Sequence, residues 1–420
     1  MSKSVAQLFR RAGWNVVDQA LSALSNTVLS VIVARSVDAS GFGAFAVAFL
    51  VFGIALALTK SLVGSPLQIR FSTHTGESFR AAVARSTGLA ALLGIVFGIG
   101  CIVAGLLLGG VTGQALTALA VILPGLLLQD TCRMAFFAKG EARSAALIDA
   151  VWAVVQVAVL ALLIWTGHSS VSLFILAWGA AAALSAALGL RLLRALPRLG
   201  QAMGWLREQR DLTRYLFAEY FLGLGASQIA ILLVGVIAAA SAVGSLRAAQ
   251  VLLGPLAIVG VAAFQFAVPE IARRSEMSSR RRWQAGMGLS GILGLTTIVY
   301  VAILLLIPPA LGVQLFGDSW EGAAAVLLPM GLSSLASSLA NGPAGVLYGM
   351  GQAKRTFRIN LAKAPVLLCF VLIGAWLWGA VGAAWGLAVT EALVLPLWLA
   401  TFRKTLAATD ESQPSVAPRG

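Results

Sequence analysis

The 420 residues are 59% hydrophobic and only 11% charged, whereas a soluble domain has roughly 25% charged residues. With a mean hydropathy of +0.91, the chain holds more apolar surface than a water-soluble core can bury, which excludes soluble enzymes and soluble binding modules. The formal net charge of +14 suits either a nucleic acid or an anionic lipid surface, and the placement of the charge decides between them.

Apolar runs of about 20 residues, the length that crosses a bilayer core, predict an all-α membrane protein of about twelve helices. In chain order they are 14–34, 42–62, 82–108, 114–137, 145–165 and 171–193, then 216–239, 246–268, 285–307, 322–348, 359–378 and 380–402. Pro124, Pro255, Pro329 and Pro343 fall inside these runs. Lipid forces backbone bonds to be satisfied locally, so the prolines are expected to kink helices rather than end them. The N-terminal stretch is too polar for the apolar region of a signal peptide and shows no cleavage motif.

With the N-terminus placed in the cytoplasm, 28 of the 30 basic residues fall on the inner side, and only Arg35 and Arg247 fall outside. This is the positive-inside pattern. It assigns the charge to topology and to anionic lipid, and no nucleic-acid partner is expected. The longest inner segment, 194–214, is basic and reads as a linker between two six-helix halves. A polar tail occupies 406–420 and is expected to be disordered and cytoplasmic.

Internal repeats support the halves. Laying Gly43 on Gly244 also lays Asp18 on Glu219 and Asn26 on Ser227. A second register lays Asp130 on Asn341 and Asp149 on Asn360. Six helices per copy is an even number, so both copies keep one orientation, as in parallel-repeat transporters. The expected organisation is an N-terminal lobe over 1–200 and a C-terminal lobe over 201–405.

Four features together resemble a known family. They are a first helix with Trp14, Asp18, Gln19 and Asn26, the Ala34-Arg35-Ser36 and Gly41-Phe42-Gly43 segments, the Arg133…Ala138-Lys139-Gly140 segment, and Tyr348-Gly349-Met350-Gly351-Gln352. The chain resembles the polysaccharide-exporter, O-antigen-flippase branch of the multidrug/oligosaccharidyl-lipid/polysaccharide (MOP) flippase superfamily. The resemblance implies a V-shaped, MATE-like two-lobe fold and alternating access. It also implies a lipid-linked oligosaccharide moved between leaflets, with polysaccharide polymerase and glycosyltransferases as partners. The fourteen-helix peptidoglycan-precursor flippases share the superfamily, but this chain has no room for two further helices.

Such a substrate has an anionic head, a hydrophilic glycan and a long apolar tail. Its carrier needs a polar cavity with positive charge, and ionisable groups at membrane depth usually face such a cavity. On the first helix Asp18, Gln19, Ser22, Ser25, Asn26 and Ser30 fall within an arc of roughly 140°, which suits cavity lining or close packing through small polar residues. Asp18 and Glu219 read as proton or sodium coupling sites, or as carboxylates paired near the inner helix ends. Arg247, with Gln250 one turn later, reads as a receiver for an anionic head or as an interfacial anchor. Lys363 and Glu391 read as a buried pair, a proton relay or a diphosphate site. Asp130 and Arg133, three apart on one helix, should pair, and with Arg143 and Asp149 they are expected to form a cytoplasmic latch.

Cys101, Cys132 and Cys369 are far apart in sequence, and His74 and His168 complete no metal spacing. The cysteines read as packing residues, and no metal or cofactor is expected. No Walker-type motif is present, and the loops are too short for the catalytic loop of a membrane glycosyltransferase or polymerase. The expected function is therefore a non-enzymatic flippase. A cation-coupled multidrug exporter of the same fold is the alternative.

Overall fold

The computed structural model describes residues 24–273 and 277–412, and among them the chain is helical with no strand. Helix α1 covers 24–36. Next come α2 (Ala39–Phe71), α3 (Gly76–Leu108), α4 (Gly110–Lys139), α5 (Ala142–Trp165) and α6 (Val171–Leu193). A short α7 (Ala202–Glu208) precedes α8, which runs from Arg210–Tyr220 through a π-turn at Phe221–Gly225 into Ala226–Ile237. Then follow α9 (Ala240–Arg273), α10 (Ser279–Leu305), the short α11 (Pro309–Phe316) and α12 (Trp320–Gly349). The last stretch, Ala353–Ser412, breaks at Trp378 and Gly379, where Gly379 takes φ 57°, and so forms two helices, α13 and α14.

Nine of these stretches are long and apolar enough to cross a bilayer. One of the nine, Lys354–Ala408, contains the break at Gly379 and crosses twice. Of the first expected run, residues 14–23 lie outside the described residues and 24–34 are helical, and α8 divides into a polar start and an apolar end of 12 residues. The described residues thus hold nine such stretches, with α1 and the apolar end of α8 as shorter helices beside them, and this is a multi-pass membrane protein. Pro124, Pro329 and Pro343 lie inside α4 and α12 without ending them, and Pro255 lies inside α9. Helix α14 continues beyond 406, into the stretch expected to be a disordered tail. Leu406 is buried, and the following Ala407 and Ala408 are strong helix formers.

The described chain divides into two compact units. Unit 1 holds residues 24–248 with Gly312–Trp320, and unit 2 holds Ala249–Leu311 and residues from Glu321 onward. In unit 1, α4 is central and packs on α2, α3, α5 and α6. Lipid is as apolar as leucine, so apolar burial does little to hold these helices together, and close backbone approach through small residues does more. The α3–α4 hairpin shows how. Gly109 and Gly110 turn the chain with φ 63° and 56°. A Cβ on Gly105 would then lie 2.8 Å from the Gly113 carbonyl oxygen, and one on Gly113 would lie 2.4 Å from that of Gly105. The α13–α14 hairpin of unit 2 repeats the device, with Gly374 and Gly382 meeting backbone to backbone.

Gly43 and Gly244, which the repeat register pairs, also touch: a Cβ on Gly244 would meet the Gly43 Cα at 3.0 Å. The outer faces are apolar, with Leu107 82% and Leu306 81% exposed. Exposed Trp165 and Trp378 stand at the ends of their helices, where an aromatic belt meets headgroups. The 194–214 segment is more than a bare linker. Its Trp205 is fully buried in unit 1, stacks on Phe71 at 5.3 Å between ring centroids, and donates its indole N–H to the Leu62 carbonyl at 3.0 Å.

Candidate functional site

Among the described residues, two places in unit 1 and one in unit 2 hold buried or partly buried ionisable side chains within long apolar helices. The first is built on a π-turn. At Lys60–Gly64, α2 winds with one extra residue, a distortion that re-aims side chains and often marks functional sites. It points Lys60 to within 3.7 Å of Asp130 Oδ1. Asp130 also takes a hydrogen bond from Arg133 Nη2 at 2.6 Å, and Arg133 Nη1 lies 3.7 Å from Asp149 Oδ2. Gln129 Nε2 donates to Asp149 Oδ1 at 2.6 Å. Asp130, Arg133, Asp149 and Gln129 are all buried. Among the described residues two cations therefore face two anions.

The expected Asp130–Arg133 pair is present and Asp149 joins it. Arg143, in the first turn of α5, is exposed, and none of the ion pairs among the described residues includes it. Lys60 takes that place. The sequence signal for Lys60 was a lone lysine between two apolar stretches.

The second place is built on α2, α1 and the first turns of α9. Phe49 stacks on the fully buried Trp178, with ring centroids 5.5 Å apart. The Arg247 guanidinium lies 3.7 Å above the Phe49 ring centroid, and its Nη2 donates to Ser30 Oγ at 3.3 Å. Ser30 in turn donates to the Asn26 carbonyl at 2.8 Å. The Arg247 Nε is buried and has no hydrogen-bond partner among the described residues. None of the ion pairs formed among those residues includes Arg247.

A ring face attracts a cation without neutralising it. The guanidinium keeps a fork of N–H donors suited to a phosphate or carboxylate. Phe49 was not foreseen as a partner, since an aromatic in an apolar run gives no sign of a cation above it. Ser30 belongs to the polar arc read on the first helix. Ser25 of that arc accepts a hydrogen bond from Gln156 Nε2 at 3.2 Å through its backbone carbonyl. Gln250 follows Arg247 one turn later on α9. Asp18, Gln19 and Ser22 lie outside the described residues, as does the side chain of Glu219.

In unit 2, Lys363 on α13 and Glu391 on α14 form a close hydrogen-bonded ion pair, both partly buried. The Gly379 turn brings α14 back along α13 and sets the two side chains side by side. No group of three or more His, Cys, Asp or Glu among the described residues can hold a metal ion.

The sequence matches no family model and no curated protein. Solved structures do match, over nearly the whole chain. A multidrug resistance MATE family transporter of the MOP superfamily, in an inward-facing conformation, superposes with a TM-score of 0.72 at 14% identity, over 95% of this chain and 99% of that one. The protein has the MATE-type transporter fold. The lipid II flippase MurJ matches with a TM-score of 0.69 at 11% identity, over 92% of this chain and 87% of that one. A MOP superfamily transporter from Pyrococcus furiosus, described as having a binding pocket of reversed polarity that suggests a different function, matches at 0.64 and 12% identity, over 96% of each chain. At these identities the likeness is one of fold.

Proposed function

We propose that this protein is an alternating-access flippase that carries a lipid-linked oligosaccharide of the polyprenyl-diphosphate type across the cytoplasmic membrane for cell-surface polysaccharide synthesis. The observation that carries the reading is Arg247. It is a guanidinium held at membrane depth over Phe49, with a hydroxyl but no carboxylate beside it among the described residues. A cationic drug would be repelled there, whereas a diphosphate would find a fork of donors in surroundings of low dielectric. The MATE-type fold supports transport as such. The termini lie in the cytoplasm in this reading, and coupling to protons or sodium remains part of it. Polymerase and glycosyltransferases would act before and after the flip.

A cation-coupled multidrug exporter is the second reading, and the carboxylates of Asp130, Asp149 and Glu391 within the helices favour it. The described cations beside each of them weigh against it. The test is a deletion strain in which the leaflet holding lipid-linked saccharide is read with a membrane-impermeant glycosidase. Accumulation in the inner leaflet, rescued by the wild-type gene and not by Arg247→Ala, supports the flippase. An unchanged saccharide pool with raised sensitivity to cationic drugs replaces it with the exporter.

A further inference from the structure

A cavity of about 780 Å³ opens in unit 1 among α2, α3, α8 and the first two turns of α4. Its walls are apolar: Val47 and Val51 from α2, Val96 and Gly100 from α3, Leu116 from α4 and Leu232 from α8. The volume lies in the ligand-sized range of roughly 300–1,000 Å³. From Val96 to Leu108, α3 rises roughly 18 Å, close to the roughly 15 Å of hydrocarbon in one leaflet. The surrounding surface is Ile99, Val103, Leu107 and Val236, all exposed. On membrane-crossing helices that surface faces lipid tails and not water.

We infer that this cavity holds one acyl chain of a bilayer phospholipid as a resident ligand. An empty apolar cavity of this size forfeits dispersion contacts all along its wall, and the adjoining medium supplies a chain of matching length and chemistry. The tail of the proposed substrate is not the occupant. Val47 and Val51 line the cavity, whereas Phe49, which carries Arg247, sits between them in sequence. At 100° per residue Phe49 faces away from both. A substrate with its head on Arg247 would therefore have to pass around α2 to put its tail here. The chain instead wedges α8 beside α2, above the π-turn at Phe221–Gly225.

The test fills the cavity from within. A Cβ on Gly100 would meet no atom within 4 Å, and the same holds for Gly291 on α10. Gly100→Leu thus starts into the cavity from a position with open space around its Cβ, and Gly291→Leu adds the same side chain elsewhere. The full-length protein is reconstituted in vesicles of phosphatidylethanolamine and phosphatidylglycerol carrying a mid-chain diazirine acyl lipid. It is then irradiated, and the labelled peptides are mapped. Wild type and Gly291→Leu should label within 96–116, and Gly100→Leu should lose on the order of tenfold or more of that label, since several methylenes are displaced. If Gly100→Leu fails to fold, Ala104→Leu, one turn along, serves in its place. Uniform labelling around the protein, or equal labelling of the filled variant, overturns the inference. So does recovery of a polyprenyl chain, in place of an acyl chain, from the purified protein's cavity. The labelling reads neither flipping nor drug efflux, so its failure leaves the proposed function standing, and the reverse holds.

Discussion

The two charged places of unit 1 are built from similar side chains and do opposite things with them. Around Asp130, two cations and two carboxylates among the described residues answer one another, and Gln129 donates to Asp149. At Arg247 the cation meets a ring face and a hydroxyl. A charge matched by its own protein holds helices in register, whereas one left unmatched among its described neighbours is an invitation to a ligand. Desolvated charge is costly in either case, so the difference is in what covers the cost: internal partners in the first and, in the proposed function, an anion from outside in the second.

The contrast can be broken most forcefully at its balanced end. Asp130→Ala removes the carboxylate that Lys60 and Arg133 share and should cost roughly 3–5 kcal/mol, read as a steep fall in thermal stability in detergent. Arg247→Ala should leave stability nearly intact and reduce saccharide flipping on the order of a hundredfold, the effect of losing one desolvated charge contact. Arg247→Lys should fall between, because it keeps the charge and loses the planar fork. If Arg247→Ala unfolds the protein and Asp130→Ala leaves it stable, the assignment of roles is reversed.

The Lys363–Glu391 pair sharpens the comparison from the other unit. Either single change, Lys363→Met or Glu391→Leu, should destabilise more than the double change, with a coupling of roughly 0.5–3 kcal/mol in a double-mutant cycle. Flipping that is unaffected in the stable double variant would make the pair structural. Flipping that loses its pH dependence there would make it part of the coupling.

The smallest effects belong to the water-facing ends. Asp38 caps α2, accepting from Ser40 Oγ at 2.8 Å and from the Gly41 N–H at 2.9 Å, and Asp38→Ala should cost about 1 kcal/mol. Those hydrogen bonds hold its carboxyl below the ordinary carboxylate range. The hydrogen bond from Arg70 does the same for Asp211. A carboxyl depressed in the folded state adds stability above its unfolded pKa of about 4, and that stability is lost as pH falls through the folded value. A shallow decline of melting temperature below about pH 4 should therefore flatten in Asp38→Asn.

The helices were legible in the sequence because lipid imposes a length and a composition on every crossing. The break at Gly379 was legible too, as a short gap between two apolar runs. The π-turns at Lys60–Gly64 and Phe221–Gly225 were not, since a single extra residue leaves hydropathy unchanged. The Asp130–Arg133 and Lys363–Glu391 pairs could be read because few charges lie so deep, and each had few candidates to answer it. Phe49 escaped because apolar runs are full of phenylalanines and only three dimensions show which one lies beneath a cation. Arg143 was misplaced as a latch residue because proximity in sequence does not fix the face of a helix.

The glycine-lined hairpins also bear on how the chain assembles. Gly105 meets Gly113, and Gly374 meets Gly382, across turns of a few residues. Contacts this local close with little loop entropy, so each hairpin can zip as soon as both of its helices have entered the bilayer, well before distant helices find one another. A valine at Gly113 or Gly382 would then act during biogenesis, leaving an open hairpin for quality control to find, and its phenotype would be missing protein rather than slow transport.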